Sequence, residues 1–261
     1  SIYEKSLKLA MDFDEPVPMG KEEIYRGISE LHLERGDLEA ASEYLQRSEE
    51  LSKQTLSTDW KYRLCLTRAR LKESQGDLDG ALDLLDQAEG LFFISPMPDP
   101  SPVAALKTRV WIRQGKLAEA LAWVQKRDLS FDDDLTYLLE FEHLTLARML
   151  IVLYKNKKED RLMNEAMELL ERLLGAAKEG ARKGSMIDIL AQQALAYEAQ
   201  DKISAGLGPL ENALTLAQPE GYFRIFVDKG IPMAKLLSEA AANKILPDYV
   251  GKLLAAIEAE I

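Results

Sequence analysis

The stretch Leu33-Glu34-Arg35-Gly36-Asp37-Leu38-Glu39-Ala40-Ala41 decides the fold, because its pattern returns twice. It comes back as Lys72-Glu73-Ser74-Gln75-Gly76-Asp77-Leu78-Asp79-Gly80-Ala81 and as Trp111-Ile112-Arg113-Gln114-Gly115-Lys116-Leu117-Ala118-Glu119-Ala120. Gly36, Gly76 and Gly115 lie 40 and 39 residues apart, and Ala41, Ala81 and Ala120 each follow five residues later. Glycine can take the left-handed conformation that ends a helix sharply. A second helix starts at once, and its small alanine lets it pack close against the first. A unit of about 40 residues cannot bury its apolar face alone, so successive units stack into a solenoid.

The composition agrees with an all-α chain. Of 261 residues, 47% are hydrophobic, enough for a continuous core, and 30% are charged, as solvated outer helix faces require. Leu, Ala, Glu, Lys and Arg dominate, all good helix formers. The formal charge of −11 argues against a duplex-binding surface, which would show a basic stripe. Lys155-Asn156-Lys157-Lys158 is followed at once by Glu159 and Asp160 and is read as a solvated loop between helices. Cys65, the only cysteine, excludes an internal disulfide and reads as a buried, inert thiol. There is no apolar leader and no 18-residue apolar stretch. The expectation is a soluble, cytoplasmic chain without a membrane partner, and the start without Met suggests a fragment.

Further helices are read at 2–12, as the second half of a truncated preceding repeat, then at 21–35 and 38–51, with a loop at 16–20. Ser57-Thr58-Asp59 offers a helix cap for a pair ending near Phe93. Four prolines between Ser95 and Pro102 make a stiff spacer. A third pair runs over 103–127. Asp132-Asp133-Asp134 reads as a cap for a fourth, whose first helix covers 135–153 and whose partner covers 162–175. A fifth, degenerate pair at 188–199 and 205–217 has Gln200-Asp201 in place of the Gly-Asp stop. The repeat array therefore occupies 1–218. A closing segment at 219–261 abandons the period, with short helices at 232–242 and 247–261.

No catalytic motif is present. Two histidines, His32 and His143, and one cysteine cannot make the standard zinc motifs, so no metal site is expected. His143 beside Glu142 in a helix is not a dyad, because neighbouring side chains point apart. Gly175-Ala176-Ala177-Lys178-Glu179-Gly180 has the glycine spacing of a phosphate loop, but Ala181 and Arg182 stand where Lys and Ser or Thr are needed. It reads as a helix end and linker. No cofactor is expected in this chain.

What remains is a surface. Stacked helix pairs expose the first helix of each pair on a concave face, where such arrays bind. Counting back from the glycines places Arg26, Glu30, Arg63, Arg70, Arg109 and Arg113 near that face. Arginine there can bind hydroxyls, carboxylates or phosphates bidentately. Trp60, Tyr62 and Trp111 could stack on a flat or sugar-like ligand. The same residues admit a structural reading, with the arginines paired to Glu and Asp of neighbouring repeats and Trp111 in the core.

The repeats look like tetratricopeptide (TPR) repeats of unusual length. Two segments resemble the sensor region of the large MalT-type regulators of the LuxR family. One is Ile24 to Ala41, above all Leu31-His32-Leu33-Glu34-Arg35-Gly36-Asp37-Leu38-Glu39-Ala40-Ala41. The other runs from Glu220-Gly221-Tyr222-Phe223-Arg224-Ile225-Phe226-Val227-Asp228-Lys229-Gly230 to Leu237, together with Tyr249-Val250-Gly251-Lys252-Leu253-Leu254. The resemblance implies an all-α, right-handed superhelical solenoid of TPR-like helix pairs. It also implies a sensor in which a small-molecule inducer or protein partner releases an inhibited state, allowing self-association and transcription activation. DNA would be bound by the full-length regulator and not by this chain. The alternative is a TPR-like scaffold whose groove takes a peptide.

Overall fold

The computed structural model describes residues 20–52, 58–91 and 101–260, and the chain divides into two compact units, Ser1–Pro96 and Met97–Ile261. Among the described residues all regular structure is helical. The readings at 2–12, 16–19, Ser57, Phe93 and 95–100 fall outside the described residues.

In the first unit, α1 (Lys21–Glu34) pairs with α2 (Leu38–Ser52), and α3 (Thr58–Ser74) pairs with α4 (Leu78–Leu91). The quoted motif forms the turn inside each pair. Gly36, Gly76 and Gly115 take φ values of 81°, 79° and 74°. The next amide then reaches back five residues, Asp37 to the carbonyl of His32, Asp77 to Lys72 and Lys116 to Trp111, at 2.9–3.0 Å. That bond closes the helix end, and only a left-handed residue permits it. Asp37 and Asp77 then cap the following helix, their carboxylates accepting the amides of Ala40 (3.1 Å) and Gly80 (2.9 Å). Ala41, Ala81 and Ala120 have no exposed surface. The Ser29 hydroxyl of α1 donates to the carbonyl of Ala41 at 2.6 Å, which a larger side chain would push away.

The second unit contains α5 (Val103–Gln114), α6 (Leu117–Arg127), a 3-10 turn (Tyr137–Leu139), α7 (Glu140–Lys157), α8 (Asp160–Glu179), α9 (Lys183–Ala199) and α10 (Ile203–Ala217). A second 3-10 turn (Gln218–Glu220), α11 (Arg224–Val227), α12 (Gly230–Ala242) and α13 (Pro247–Ala259) follow. α8 buries Leu162, Ala166, Leu169, Leu170, Leu173 and Ala177, a helical stripe packed with α7 and α9. A second core joins Ile187 and Ala194 of α9 and Leu210 and Leu214 of α10 to Phe226, Leu236, Val250 and Leu253. The closing segment thus shares its interior with the fifth pair. Gly206 makes room for it, since a Cβ there would lie 2.9 Å from Leu236. Arg224 ties Asp228 to Glu260 of the last turn, and the Tyr249 hydroxyl donates to the carbonyl of Tyr222.

Several boundaries differ from the sequence reading. The first helix of the fourth pair begins at Glu140, not at 135, and runs to Lys157. Asp133 caps a turn instead of that helix: its carboxylate accepts the amide of Ser130 at 2.9 Å and meets Nε2 of the buried His143 at 3.1 Å. Those contacts hold the Asp133 carboxyl below its ordinary range, the Ser130 amide first and His143 after it. Arg172 of α8 fixes the same loop through the carbonyls of Phe131 (2.5 Å) and Asp133 (2.6 Å). Gly175 lies inside α8, which continues to Glu179 because buried Ala177 anchors its last turn. Lys155 is a helix residue bound to Glu198 at 2.6 Å, and only Lys158 leaves the helix, at φ 57°. Cys65 is only partly buried, and burial pushes its thiol pKa up. His32 stacks on Tyr44, its ring 5.3 Å away, as an ordinary repeat residue.

Candidate ligand-binding face

Within each unit the first helices of successive pairs meet side by side, and their facing residues are polar. In the first unit, α1 and α3 meet through charges that match. Arg26 binds Glu23 (2.5 Å) and Glu30 (2.6 Å), and Thr67 of α3 donates to Glu30 at 3.0 Å. Burial works against the Arg26 charge, but the Glu23 hydrogen bonds and the Glu30 and Glu23 charges outweigh it and hold its pKa above the ordinary value. Exposed Arg63 pairs with Asp59 (3.1 Å) and Glu23 (3.5 Å), and Arg70 with Glu34 (3.5 Å). Trp60 lies in the core beside Leu64, whereas Tyr62 is half-buried. In the second unit Trp111 is half-buried under the ammonium of Lys107, 5.6 Å from its ring, and Arg113 is exposed.

Arg109 belongs to a larger assembly. Its guanidinium lies 3.5 Å from the centroid of the Phe141 ring, Nε donates to Thr145 at 2.9 Å, and Nη1 stands 3.9 Å from Asp188. Asp188 of α9 also accepts from Arg148 of α7 at 2.8 and 2.9 Å and from Lys229, just before α12, at 2.9 Å. Gln192, one turn on, faces only donors at one end of its amide; with the oxygen assigned to that end it accepts from Arg148 Nε (2.9 Å) and Lys229 (3.0 Å). Burial alone would raise the Asp188 pKa, but Arg148, Lys229 and Arg109 together hold it far below the carboxylate range. The Lys229 ammonium is pushed down to about 8, by burial first and by the two arginines after it, against the pull of Asp188.

Arg109, Arg148, Asp188 and Lys229 are 39, 40 and 41 residues apart, and Arg70 lies another 39 before them. They keep one spacing: Arg70, Arg109, Arg148 and Asp188 lie on first helices, and Lys229 lies just before α12. A second rung lies about 15 Å along α9. There Glu198 binds Lys155 of α7 (2.6 Å) and Lys235 of α12 (3.1 Å). Near the start of α7, buried Glu140 accepts from Arg182 (2.7 Å) and Ser185 (2.5 Å). The sequence reading named two members of this column, Arg70 and Arg109, and passed over Arg148, Asp188, Lys229 and the adjoining Gln192. The repeat period, continued past Gly115, would have reached the three charged ones.

Each unit also has a groove between successive second helices. One, of about 710 Å³, runs between α2 and α4 past Leu45, Glu49, Arg68 and Leu71. The other, of about 620 Å³, runs between α8 and α10 past Glu171, Lys178, Tyr197 and Pro209. Among the described residues no three His, Cys, Asp or Glu side chains gather as a metal site, and no helix is long and apolar enough to cross a membrane.

Compared with known proteins, residues 1–243 match the family model described as the MalT-like TPR region. The chain belongs to this family. Among solved structures, a signal transduction ATPase with numerous domains that carries a TPR sensor, from Pyrococcus horikoshii, aligns over 100% of this chain and 41% of its own. The identity is 16% and the TM-score 0.51, so the likeness is one of fold, and this chain spans less than half of that protein. Nearly identical TPR-like repeats from Podosopora anserina align over 77% of this chain and 98% of theirs, at 18% identity and a TM-score of 0.41. No curated protein matches. A MalT-like TPR region is an all-α array of helix pairs, and the family match supports a sensing or protein-interaction role.

Proposed function

We propose that this chain is the effector-sensing region of a MalT-type LuxR-family regulator and that an inducer or partner binds the first-helix face. The observation that supports this reading most is the Arg109–Arg148–Asp188–Lys229 assembly. Three successive first helices, α5, α7 and α9, and the residue leading into α12 contribute to one partly open polar site, so a ligand there touches several helix pairs at once. Its differential affinity for two repeat arrangements then shifts the balance between resting and active states. The full-length regulator would translate that shift into self-association and DNA binding, and this chain has no catalytic role in the process.

The test is a thermal-shift screen of the purified chain against sugars, charged metabolites and short peptides, repeated on Arg109→Ala. A ligand at 100 times its Kd adds about 2.7 kcal/mol. A small-molecule hit that Arg109→Ala abolishes supports an inducer site. Hits restricted to peptides, or small-molecule hits indifferent to Arg109→Ala, refute it in favour of a peptide scaffold or another face.

A further inference from the structure

The charges around Asp188 do not balance. Arg148 and Lys229 both bind this one carboxylate, and Arg109 stands at its edge. Among the described residues no second carboxylate pairs with Arg148 or Lys229. Elsewhere in the chain buried cations are better matched: Arg26 has Glu23 and Glu30, and Arg224 has Asp228 and Glu260. The two lysines that share Glu198 are 36% and 56% exposed, so water serves them. Lys229 is 9% exposed and has no such relief. Desolvating two cations on one counter-charge is costly, and the depressed Lys229 pKa records that cost. In a chain of net charge −11 a half-buried surplus of positive charge is out of character.

The surplus also has an open side. Arg148 directs Nε and Nη2 to Gln192 and Asp188, keeps 23% of its side chain exposed, and its Nη1 has no hydrogen-bond partner among the described residues. We propose that Arg148 and Lys229, with Arg109 beside them, form a binding site for a small oxyanion ligand, a phosphate- or carboxylate-bearing metabolite. The inference names the ligand class for the sensor reading above and rests on it. Asp188 is the internal placeholder: it holds the cations in position when no ligand is present and yields part of their attention when one arrives. Lys229 leads directly into α12, so a ligand that draws it from Asp188 is felt at the closing segment.

The experiment is calorimetric titration of inorganic phosphate, glucose 6-phosphate and citrate into the wild-type chain, Arg148→Gln and Asp188→Asn, with glucose as the uncharged control. Circular dichroism verifies that each variant is folded. Wild type binds at least one of the oxyanions, and Arg148→Gln weakens that binding about tenfold or more, while Asp188→Asn strengthens it by about the same factor. The opposite signs cannot come from general loss of structure. Phosphate binding without citrate identifies the phosphate class, citrate without phosphate the carboxylate class, and both outcomes support the site. Equal affinity in all three proteins, or no oxyanion binding in wild type and Asp188→Asn, overturns it. A peptide or neutral sugar that binds in an Arg109-dependent way with no oxyanion response overturns this inference and leaves the sensor reading standing.

Discussion

Lys229 offers a measurement with a definite sign. Its pKa falls from 10.5 to about 8 in the folded chain, and such a shift is worth roughly 3 kcal/mol. The charged form is the disfavoured one here, so below pH ~8 the lysine destabilises the fold by that amount. The penalty fades as pH rises toward the unfolded value, because the unfolded chain binds the proton that the folded chain has already released. Lys229→Met keeps the volume and removes the charge, and Asp188 retains Arg148 at 2.8 Å. Urea denaturation near pH 7 should therefore find the variant as stable as wild type or more so, by up to roughly 3 kcal/mol. Wild type should then recover roughly 2 kcal/mol relative to the variant by pH ~9.5. Comparing the two proteins cancels every other titrating group. A stability difference that stays constant across this range would refute the account of Lys229 as a costly, under-neutralised cation.

Asp201 takes φ 58° where earlier repeats use glycine, so Asp201→Gly should raise stability by about 1 kcal/mol, read as a higher Tm; a lower Tm would mean its side chain carries a contact worth more than the strain. Ala120→Leu overpacks the wholly buried contact between α5 and α6 and should cost about 1–3 kcal/mol in chemical denaturation, whereas a neutral result would deny the close approach. Tyr249→Phe removes the bond to the Tyr222 carbonyl and should cost about 1 kcal/mol, with hydrogen exchange rising first in α11 and α13; exchange rising uniformly would contradict a locally closed segment.

The helix pairs were legible where glycine marks the turn. Gly36, Gly76 and Gly115 have side-chain identity and backbone geometry in agreement, so the sequence displays the stop. Later turns use the same left-handed geometry at Lys158, Ala181 and Asp201, and Arg182 and Lys202 still reach back five residues at 2.9 and 3.0 Å. Tertiary packing holds those residues in a conformation their side chains do not advertise, which is why the repeat looked degenerate beyond Gly115. The polar first-helix face was legible to the same depth. Arg70 and Arg109 were found by counting back from a glycine, and no glycine stands behind Arg148, Asp188 or Lys229. Arg recurs at 70, 109 and 148, but Asp188 reverses the sign and Lys229 restores it, so beyond Arg148 only the spacing repeats. The loop before α7 was misread for another reason: the Asp133 carboxylate serves Ser130 and His143, partners that sequence does not bring together.

The two kinds of contact in the second unit give it mechanical anisotropy. Within a pair, helices join through alanine and leucine at close range, a joint that tolerates little change in spacing. Across the first-helix face, α7, α9 and the start of α12 are linked by charged side chains long enough to exchange partners without any core opening. Apolar packing also crosses each seam between these leaves, α8 on α9 and α10 on α12, so a seam is held at its core edge and compliant at its charged edge, like the pages of a book along the spine. Ionic strength tunes that compliance most at the exposed lysines of the Glu198 rung and least at buried Lys229. A change of counter-ion at one seam would accordingly appear as a tilt between leaves, and not as loosening within any of them.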